Sequence, residues 1–129
     1  MPRYRNNLVL VVEPGKAPRA VNLKGDLKSL QVAVGGYIEA IYPYNDPVAV
    51  IVNEEGKLED LPMNRALRDE DGDVYDIICG TFLVTGLTDE DFGSLSPELL
   101  VKYAVKFANP ETFVPTPYGI RIHRTEVNV

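Results

Sequence analysis

Two short, unbroken apolar runs constrain the fold most, because each has the length of a strand and is too short for a buried helix. Residues 8–12 form the first run and residues 48–52 the second. The first run stops at Glu13-Pro14-Gly15 and is followed by the apolar segment 20–23. A strand, a proline-glycine turn and a second strand in this order predict a β-hairpin.

The second apolar run is expected to lie in a β-meander. Residues 37–42 alternate in strand fashion before it, and Asn53-Glu54-Glu55-Gly56 after it suits a type I turn closed by glycine. The chain would then return through Lys57-Leu58. The sequence therefore predicts three antiparallel strands between residues 37 and 58.

Two segments have helical spacing and recognisable ends. Asp26 can cap a helix over residues 27–34, which would end at a left-handed Gly35. Ser96-Pro97 is typical of a second helix start, and Asn109-Pro110 of its stop. The apolar face predicted for this second helix is Leu99, Leu100, Tyr103 and Phe107.

The remaining segments are predicted more locally. Pro62 permits a short helix over residues 64–67, and residues 74–84 resemble one strand that Gly80 bends. Residues 110–129 form a proline-containing extended tail, within which 118–123 could add an edge strand. We predict a single α+β domain over residues 1–129, with a largely antiparallel sheet of about 5–6 strands and two main helices.

Composition indicates a cytoplasmic protein. Cys79 is the single cysteine, which excludes an internal disulfide and a cysteine-based zinc site. The apolar run near the amino terminus has five residues, fewer than a secretory signal or a membrane helix needs. We expect no membrane association.

Charge is distributed unevenly along the chain. Residues 54–91 hold twelve acidic and three basic residues, a net charge of -9, whereas the flanking segments carry +2 and +1. Direct nucleic-acid binding is not expected, since it relies on clustered Lys and Arg. The acidic middle either keeps the protein soluble, or faces a basic partner, or imitates nucleic acid.

Candidate ligand-binding residues surround the predicted meander: Gly35, Gly36, Tyr37, Glu39, Asn53, Asn64 and Arg65. The paired glycines could bring backbone N–H groups close to a ligand, or could only cap the helix before them. Glu39 would need a partner such as Arg65 if its strand face is buried, and would be solvated otherwise. The face is undecided from the sequence.

The Asn64-Arg65 pair offers the clearest binding chemistry. The planar guanidinium fork suits a carboxylate or phosphate, and the amides of Asn53 and Asn64 could read a base edge. The alternative is that Arg65, one of three cations in the acidic middle, forms a structural salt bridge.

No catalytic, metal or cofactor signature accompanies these residues. Cys79 and His123 are the single thiol and single imidazole, and a buried thiol with a surface histidine is the simpler interpretation. The acidic loop 69–73 departs from a calcium loop, because glycine occupies its fourth position and Gly80 its twelfth. We expect no catalytic residues, no cofactor and no dedicated metal site.

Four motifs together resemble a known family. They are Gly35-Gly36-Tyr37-Ile38-Glu39, Asn53-Glu54-Glu55-Gly56, Leu61-Pro62-Met63-Asn64-Arg65 and the stretch 76–84. Over roughly residues 8–95 the chain resembles a domain family of unknown function found in phages, plasmids and conjugative elements of Gram-positive bacteria. The resemblance implies a small cytoplasmic accessory protein and transfers no catalytic residue.

These observations lead to one main hypothesis and two alternatives. The main hypothesis is a non-enzymatic, oligomeric protein of a phage or mobile element that sequesters a small nucleotide-type signal in counter-defence. The first alternative is an acidic protein-interaction module that binds a host protein, or an anti-restriction DNA mimic. The second is a carboxylate-dependent enzyme using Glu39 or Asp76.

Overall fold

A computed structural model describes residues 6–89 and 91–124 of the chain. The elements follow one another as β1 (Asn6–Val12), β2 (Arg19–Lys24), α1 (Leu27–Val34), β3 (Ile38–Ile41), β4 (Val48–Asn53), β5 (Met63–Arg68), β6 (Val74–Cys79), β7 (Phe82–Leu87), β8 (Phe92–Gly93), α2 (Pro97–Lys106), β9 (Glu111–Thr116) and β10 (Gly119–Arg124).

The main sheet is antiparallel throughout. Its strand order is β2-β1-β7-β4-β3, and β8 adds a short pairing to β7. Two separate hairpins, β5-β6 and β9-β10, complete the strands. With two helices, this architecture confirms the predicted α+β class and the predicted β1-β2 hairpin.

Both faces of the main sheet are covered, which explains why its central strands are continuously apolar instead of alternating. On one face, Leu30 and Val34 of α1 pack with Ala49 and Ile51 of β4. On the other face, the core combines strands of the main sheet with α2 and the β5-β6 hairpin: Val50, Val84, Tyr103, Phe107, Leu67 and Ile78 are among its members. All six residues of β4 are buried.

The helix predictions are confirmed at both segments. Helix α1 ends at Gly35, whose φ of 79° places it in the left-handed region expected of a C-terminal cap. Asp26 occupies the N-cap position, but its side chain makes no capping hydrogen bond. The Ser96 side chain does accept the capping bond of α2, from the Leu99 N–H, and Pro97 is in the first turn. Neither helix of the described residues has the length and hydropathy needed to span a membrane.

The short helix predicted over residues 64–67 is wrong, since these residues lie in β5 and pair with β6. The acidic loop 69–73 is the turn of that hairpin, with Gly72 at a φ of 85° and the Asp69 carboxylate accepting two backbone N–H groups. The hairpin buries Ala66 and Leu67, and this tertiary burial outweighs the local helical preference.

Two strand predictions also need correction. Residues 57–60 form turns and not the third strand of a meander. The segment 74–84 is two strands in different sheets, because Gly80 adopts a φ of 88° between β6 and β7 and redirects the chain.

The tail is more regular than predicted. It contains a complete hairpin, β9-β10, in place of one edge strand, and Pro117-Tyr118 forms its turn. Residues 125–129 of the predicted tail lie outside the described residues. Glu111 attaches the hairpin to β5, since its buried carboxylate accepts the Ala66 N–H and pairs with Arg68.

Candidate functional site

Four of the seven predicted site residues line one groove. Gly35, Gly36, Tyr37 and Asn53 border a groove of about 350 Å³ beside the carboxyl end of α1. The Asn53 side chain faces the protein: its Nδ2 donates to the Val34 carbonyl at 3.2 Å, and its Oδ1 accepts the Glu55 N–H at 2.8 Å. This amide therefore holds the helix end in place.

The same packing favours glycine at position 36. A Cβ there would lie 2.9 Å from Asn53 Nδ2, so the Asn53 amide would have to shift. The glycine pair thus combines a left-handed cap at Gly35 with a close approach at Gly36.

The field in this glycine-rich groove opposes an anionic ligand. The groove lies at the negative end of the helix dipole and is bordered by Glu55 and Glu59, with Lys28 as the single cation among its described lining residues. Tyr37 is 69% exposed at the rim and could stack on a ring. This groove suits a neutral or cationic group better than a phosphate.

Arg65 and Asn64 lie elsewhere, inside the protein. Arg65 is 1% exposed and Asn64 is fully buried. Arg65 Nη2 donates to the carbonyls of Lys16 at 2.7 Å and Phe107 at 2.9 Å, and Nε donates to Phe107 at 3.3 Å. Its Nη1 donates to Asn64 Oδ1 at 2.8 Å and to the Asn64 carbonyl at 3.2 Å.

These bonds give Arg65 a framework position. Its guanidinium joins the β1-β2 turn, strand β5 and the carboxyl end of α2, and burial lowers the pKa of Arg65. Asn64 adds to the same network by donating to the carbonyls of Val12 and Gly80 at 2.8 and 2.9 Å. Neither residue lines the groove beside the paired glycines.

The Glu39 side chain is exposed on β3, whereas Ile41 on the same strand face packs against the core. Arg65 has the other partners given above, so the Glu39–Arg65 pair does not form. It borders a small cavity of about 140 Å³ together with Asn53 and Lys57. Asp76 accepts a hydrogen bond from the Lys57 ammonium. Of the two carboxylates in the enzyme hypothesis, Asp76 is therefore already bound in an ion pair.

The thiol and the imidazole have ordinary surroundings. His123 is exposed on β10, and Cys79 is half-buried at the end of β6. Burial raises the pKa of the Cys79 thiol, which opposes formation of a nucleophilic thiolate. Three exposed carboxylates, those of Asp69, Asp71 and Asp73, lie within 4.8 Å of one another in the β5-β6 turn, as is common without an ion.

A second groove, which is not among the sites predicted from the sequence, concentrates cations and tyrosines. It has a volume of about 460 Å³, and we name it the tyrosine-lysine groove. Its aromatic and cationic lining is Tyr44, Tyr75, Tyr103, Arg68, Lys102 and Lys106. These residues come from the loop between β3 and β4, the two strands of the β5-β6 hairpin, and α2.

The floor of this groove is ordered by one carboxylate. Asp46 Oδ2 accepts hydrogen bonds from the Tyr103 hydroxyl at 2.7 Å and from Lys102 Nζ at 2.6 Å. Both hydrogen bonds favour the ionised carboxylate and so lower the pKa of Asp46. The bond from Lys102 contributes most to this shift. Tyr44 packs on Tyr103 with ring centroids 5.1 Å apart.

Two groups of the groove remain accessible to a ligand. Lys106 Nζ lies 4.8 Å from the centre of the Tyr44 ring, and within residues 6–89 and 91–124 it makes no ion pair. Tyr75 is 56% exposed. Arg68, in contrast, is held by Glu111 through Nη2 and Oε2 at 3.0 Å.

A partial sequence signal for this groove existed. Lys102, Tyr103 and Lys106 share part of one helix surface, because residues four apart are neighbours on a helix. Tyr44 and Tyr75 come from separate segments with no shared pattern. Only tertiary packing brings them to the helix.

Fold and grooves together define a small α+β protein with open surface grooves and with no nucleophile-base pair among the described residues. The chain belongs to the family described as Domain of unknown function (DUF3846), whose model matches residues 6–108. The β9-β10 hairpin therefore lies beyond the matched region. Comparisons with curated proteins and with solved structures give no match.

Proposed function

We propose that this protein binds and sequesters a small nucleotide-type ligand in the tyrosine-lysine groove. The observation that carries the proposal is the convergence of three cations and three tyrosines, in a chain of net charge -6, on one groove of suitable size. A nucleotide carries both a phosphate for the cations and a base for the tyrosines.

The two accessible groups support complementary contacts. The Lys106 ammonium can reach a phosphate without first breaking an ion pair to any residue that the structure describes. The exposed ring of Tyr75 offers a stacking surface, and base-aromatic stacking contributes about 1–3 kcal/mol per base.

The groove's own acids favour a ligand of low charge. Asp46, Asp69 and Glu70 also line it, so its formal charges balance. Lys102 is bound to Asp46 and Arg68 to Glu111, so Lys106 is the groove cation without an ion pair in the described part of the chain. We therefore expect a cyclic nucleotide or a nucleoside monophosphate to bind better than a triphosphate.

We favour sequestration over turnover because the lining of the groove offers carboxylates, but no imidazole or thiol, for proton transfer. Its lining contains no histidine or cysteine, and burial raises the pKa of Tyr44 and Tyr103, so neither phenol is a good base near neutral pH. Asp46 is held as a carboxylate by two hydrogen-bond donors, Lys102 and Tyr103, and it orders these two side chains in the groove.

We further propose that this protein is cytoplasmic and oligomeric, and that it belongs to a phage or mobile element and removes a host signal. The free thiol of Cys79 suits a reducing compartment. Strand β3 lies at an edge of the main sheet and could pair with a second copy. The family resemblance motivates the mobile-element setting.

Isothermal titration calorimetry tests the ligand proposal. Wild type, Lys106→Gln and the matched control Lys28→Gln are titrated with AMP, ATP, cyclic AMP, cyclic GMP and cyclic dinucleotides. We expect one class of nucleotide to bind, a roughly tenfold or greater loss in Lys106→Gln, and no change in Lys28→Gln.

The outcomes separate the two grooves. A loss confined to Lys28→Gln would assign the ligand to the glycine-rich groove beside α1. No heat with any nucleotide would remove the proposal. Mass spectrometry of the recovered nucleotide would distinguish capture from turnover, since capture leaves its mass unchanged.

A further inference from the structure

A third groove lies on the outer side of the β5-β6 hairpin and is mainly apolar. Its volume is about 570 Å³. The apolar lining comes from Leu61, Met63, Tyr75, Ile77 and Cys79, with Ile120 contributed by β10. We name it the hairpin groove.

Four apolar side chains of the hairpin groove are exposed. Met63 is 38% exposed, Ile120 43% and Tyr75 56%, and Val74 beside them is 43% exposed. Exposed apolar residues that adjoin one another in a concave surface are typical of protein interfaces, whereas isolated ones are not.

Acidic segments border the two ends of the hairpin. Residues 54–60 precede it and carry a net charge of -3, while its turn, residues 69–73, carries -4. Apart from Lys57, which is bound to Asp76, neither segment contains a cation. The acids of both segments are exposed.

We propose that the hairpin groove docks a basic amphipathic segment of a partner protein. Apolar side chains of that segment would fill the groove, and its Lys or Arg side chains would reach the acidic segments at either end. The strands are six residues long, so the groove extends about 20 Å, which matches about 13 helical residues or six extended ones.

Charge complementarity selects this occupant over others. A second copy would bring the same acidic segments into contact with each other, and like charges at an interface are repulsive. An anionic membrane or a nucleic acid would be repelled for the same reason. A basic segment is instead attracted, and the attraction should increase its association rate at low salt.

Fluorescence anisotropy with synthetic peptides tests the docking proposal. The probe is a labelled, helix-forming peptide of about 14 leucines and lysines with one apolar face. A leucine-glutamate peptide of equal length tests the charge, and a serine-lysine peptide tests the apolar face. We expect the leucine-lysine peptide alone to bind well, and to bind less tightly as salt rises.

Matched substitutions locate the peptide. Ile120→Ser truncates a side chain of the groove, and Val105→Ser truncates one that is 70% exposed on α2. We expect the leucine-lysine peptide to bind roughly fivefold more weakly to Ile120→Ser than to wild type, and its affinity for the Val105→Ser control to be unchanged. Met63→Ser is a second groove variant in case Ile120→Ser unfolds. Lys106→Gln should leave peptide affinity unchanged, so this proposal and the nucleotide proposal fail separately.

Three results would overturn the proposal. The first is equal binding of the serine-lysine peptide, which would mean charge alone is responsible. The second is unchanged affinity in both groove variants. The third is a dimer in analytical ultracentrifugation that Ile120→Ser dissociates, which would assign the groove to a second copy.

Discussion

Replacing Arg65 by methionine should destabilise the protein severely while leaving the grooves intact. Methionine retains an unbranched apolar stem but removes every donor of the guanidinium. Four oxygens then lose a partner: the carbonyls of Lys16 and Phe107, and the carbonyl and Oδ1 of Asn64. The β1-β2 turn and the end of α2 lose their common anchor.

The expected magnitude follows from these four acceptors. A buried acceptor that loses its partner costs about 1 kcal/mol or more, so the four together cost about 4 kcal/mol. Removing a cation that is 1% exposed also relieves its desolvation penalty, which offsets part of this cost. The free energy of unfolding should therefore fall by about 3 kcal/mol.

Urea unfolding measures this change. The chain contains seven Tyr and no Trp, so far-ultraviolet circular dichroism and tyrosine fluorescence are suitable probes. Arg19→Met is the matched control, because Arg19 pairs with Glu13 while 61% exposed and should contribute less than about 0.5 kcal/mol. A loss below about 1 kcal/mol in Arg65→Met, accompanied by loss of nucleotide binding, would refute the framework role and support the ligand role expected from the sequence.

Three further predictions concern the groove floor, the helix cap and the residue that two grooves share. Because the folded-state pKa of Asp46 lies below its ordinary value of 3.8, this carboxylate stabilises the fold above about pH 4, and the stabilisation is lost as pH falls through the lowered pKa. As pH is lowered from about 6 to about 2.5, the urea midpoint should therefore fall less steeply in Asp46→Asn than in wild type, and parallel curves would contradict this. Gly36→Ala should lower the unfolding free energy by about 1–3 kcal/mol, since the new Cβ must displace the Asn53 amide; an unchanged urea midpoint would show that the amide moves freely. Tyr75 lines both the tyrosine-lysine groove and the hairpin groove, so Tyr75→Ala should weaken both nucleotide binding and peptide binding, with little change in thermal stability. Loss of only one of the two binding activities would show that Tyr75 contributes to one groove only.

Local patterns predicted the elements whose signals are contained in short segments. The β1-β2 hairpin and both helices were predicted from apolar spacing and capping residues, and the left-handed Gly35 was correctly placed. The short helix over 64–67 was wrong because that segment has an ambiguous local preference, and its strand conformation depends on pairing with β6. Periodicity alone does not separate such short segments.

The candidate site was less accessible to this reasoning. The sequence drew attention to Arg65 because a cation among acids is unusual. It could not show that backbone carbonyls from two distant segments, at Lys16 and Phe107, bind the guanidinium. It also overlooked Lys106, whose importance depends on the absence of an ion pair among the described residues and on Tyr44 beneath it. These are properties of spatial neighbours and not of spacing.

The sequence by itself determined the α+β class, the family, the acidic middle and the two helix ends, because each is encoded by residues that are adjacent or regularly spaced. Tertiary structure alone decided that Asn53, Asn64 and Arg65 bond to the framework, and that tyrosines and lysines from separate segments share a groove. The physical reason is the direction of each side chain. A polar group acts on a ligand only where folding leaves its donors unsatisfied, and that depends on which carbonyls the folded chain brings beside it.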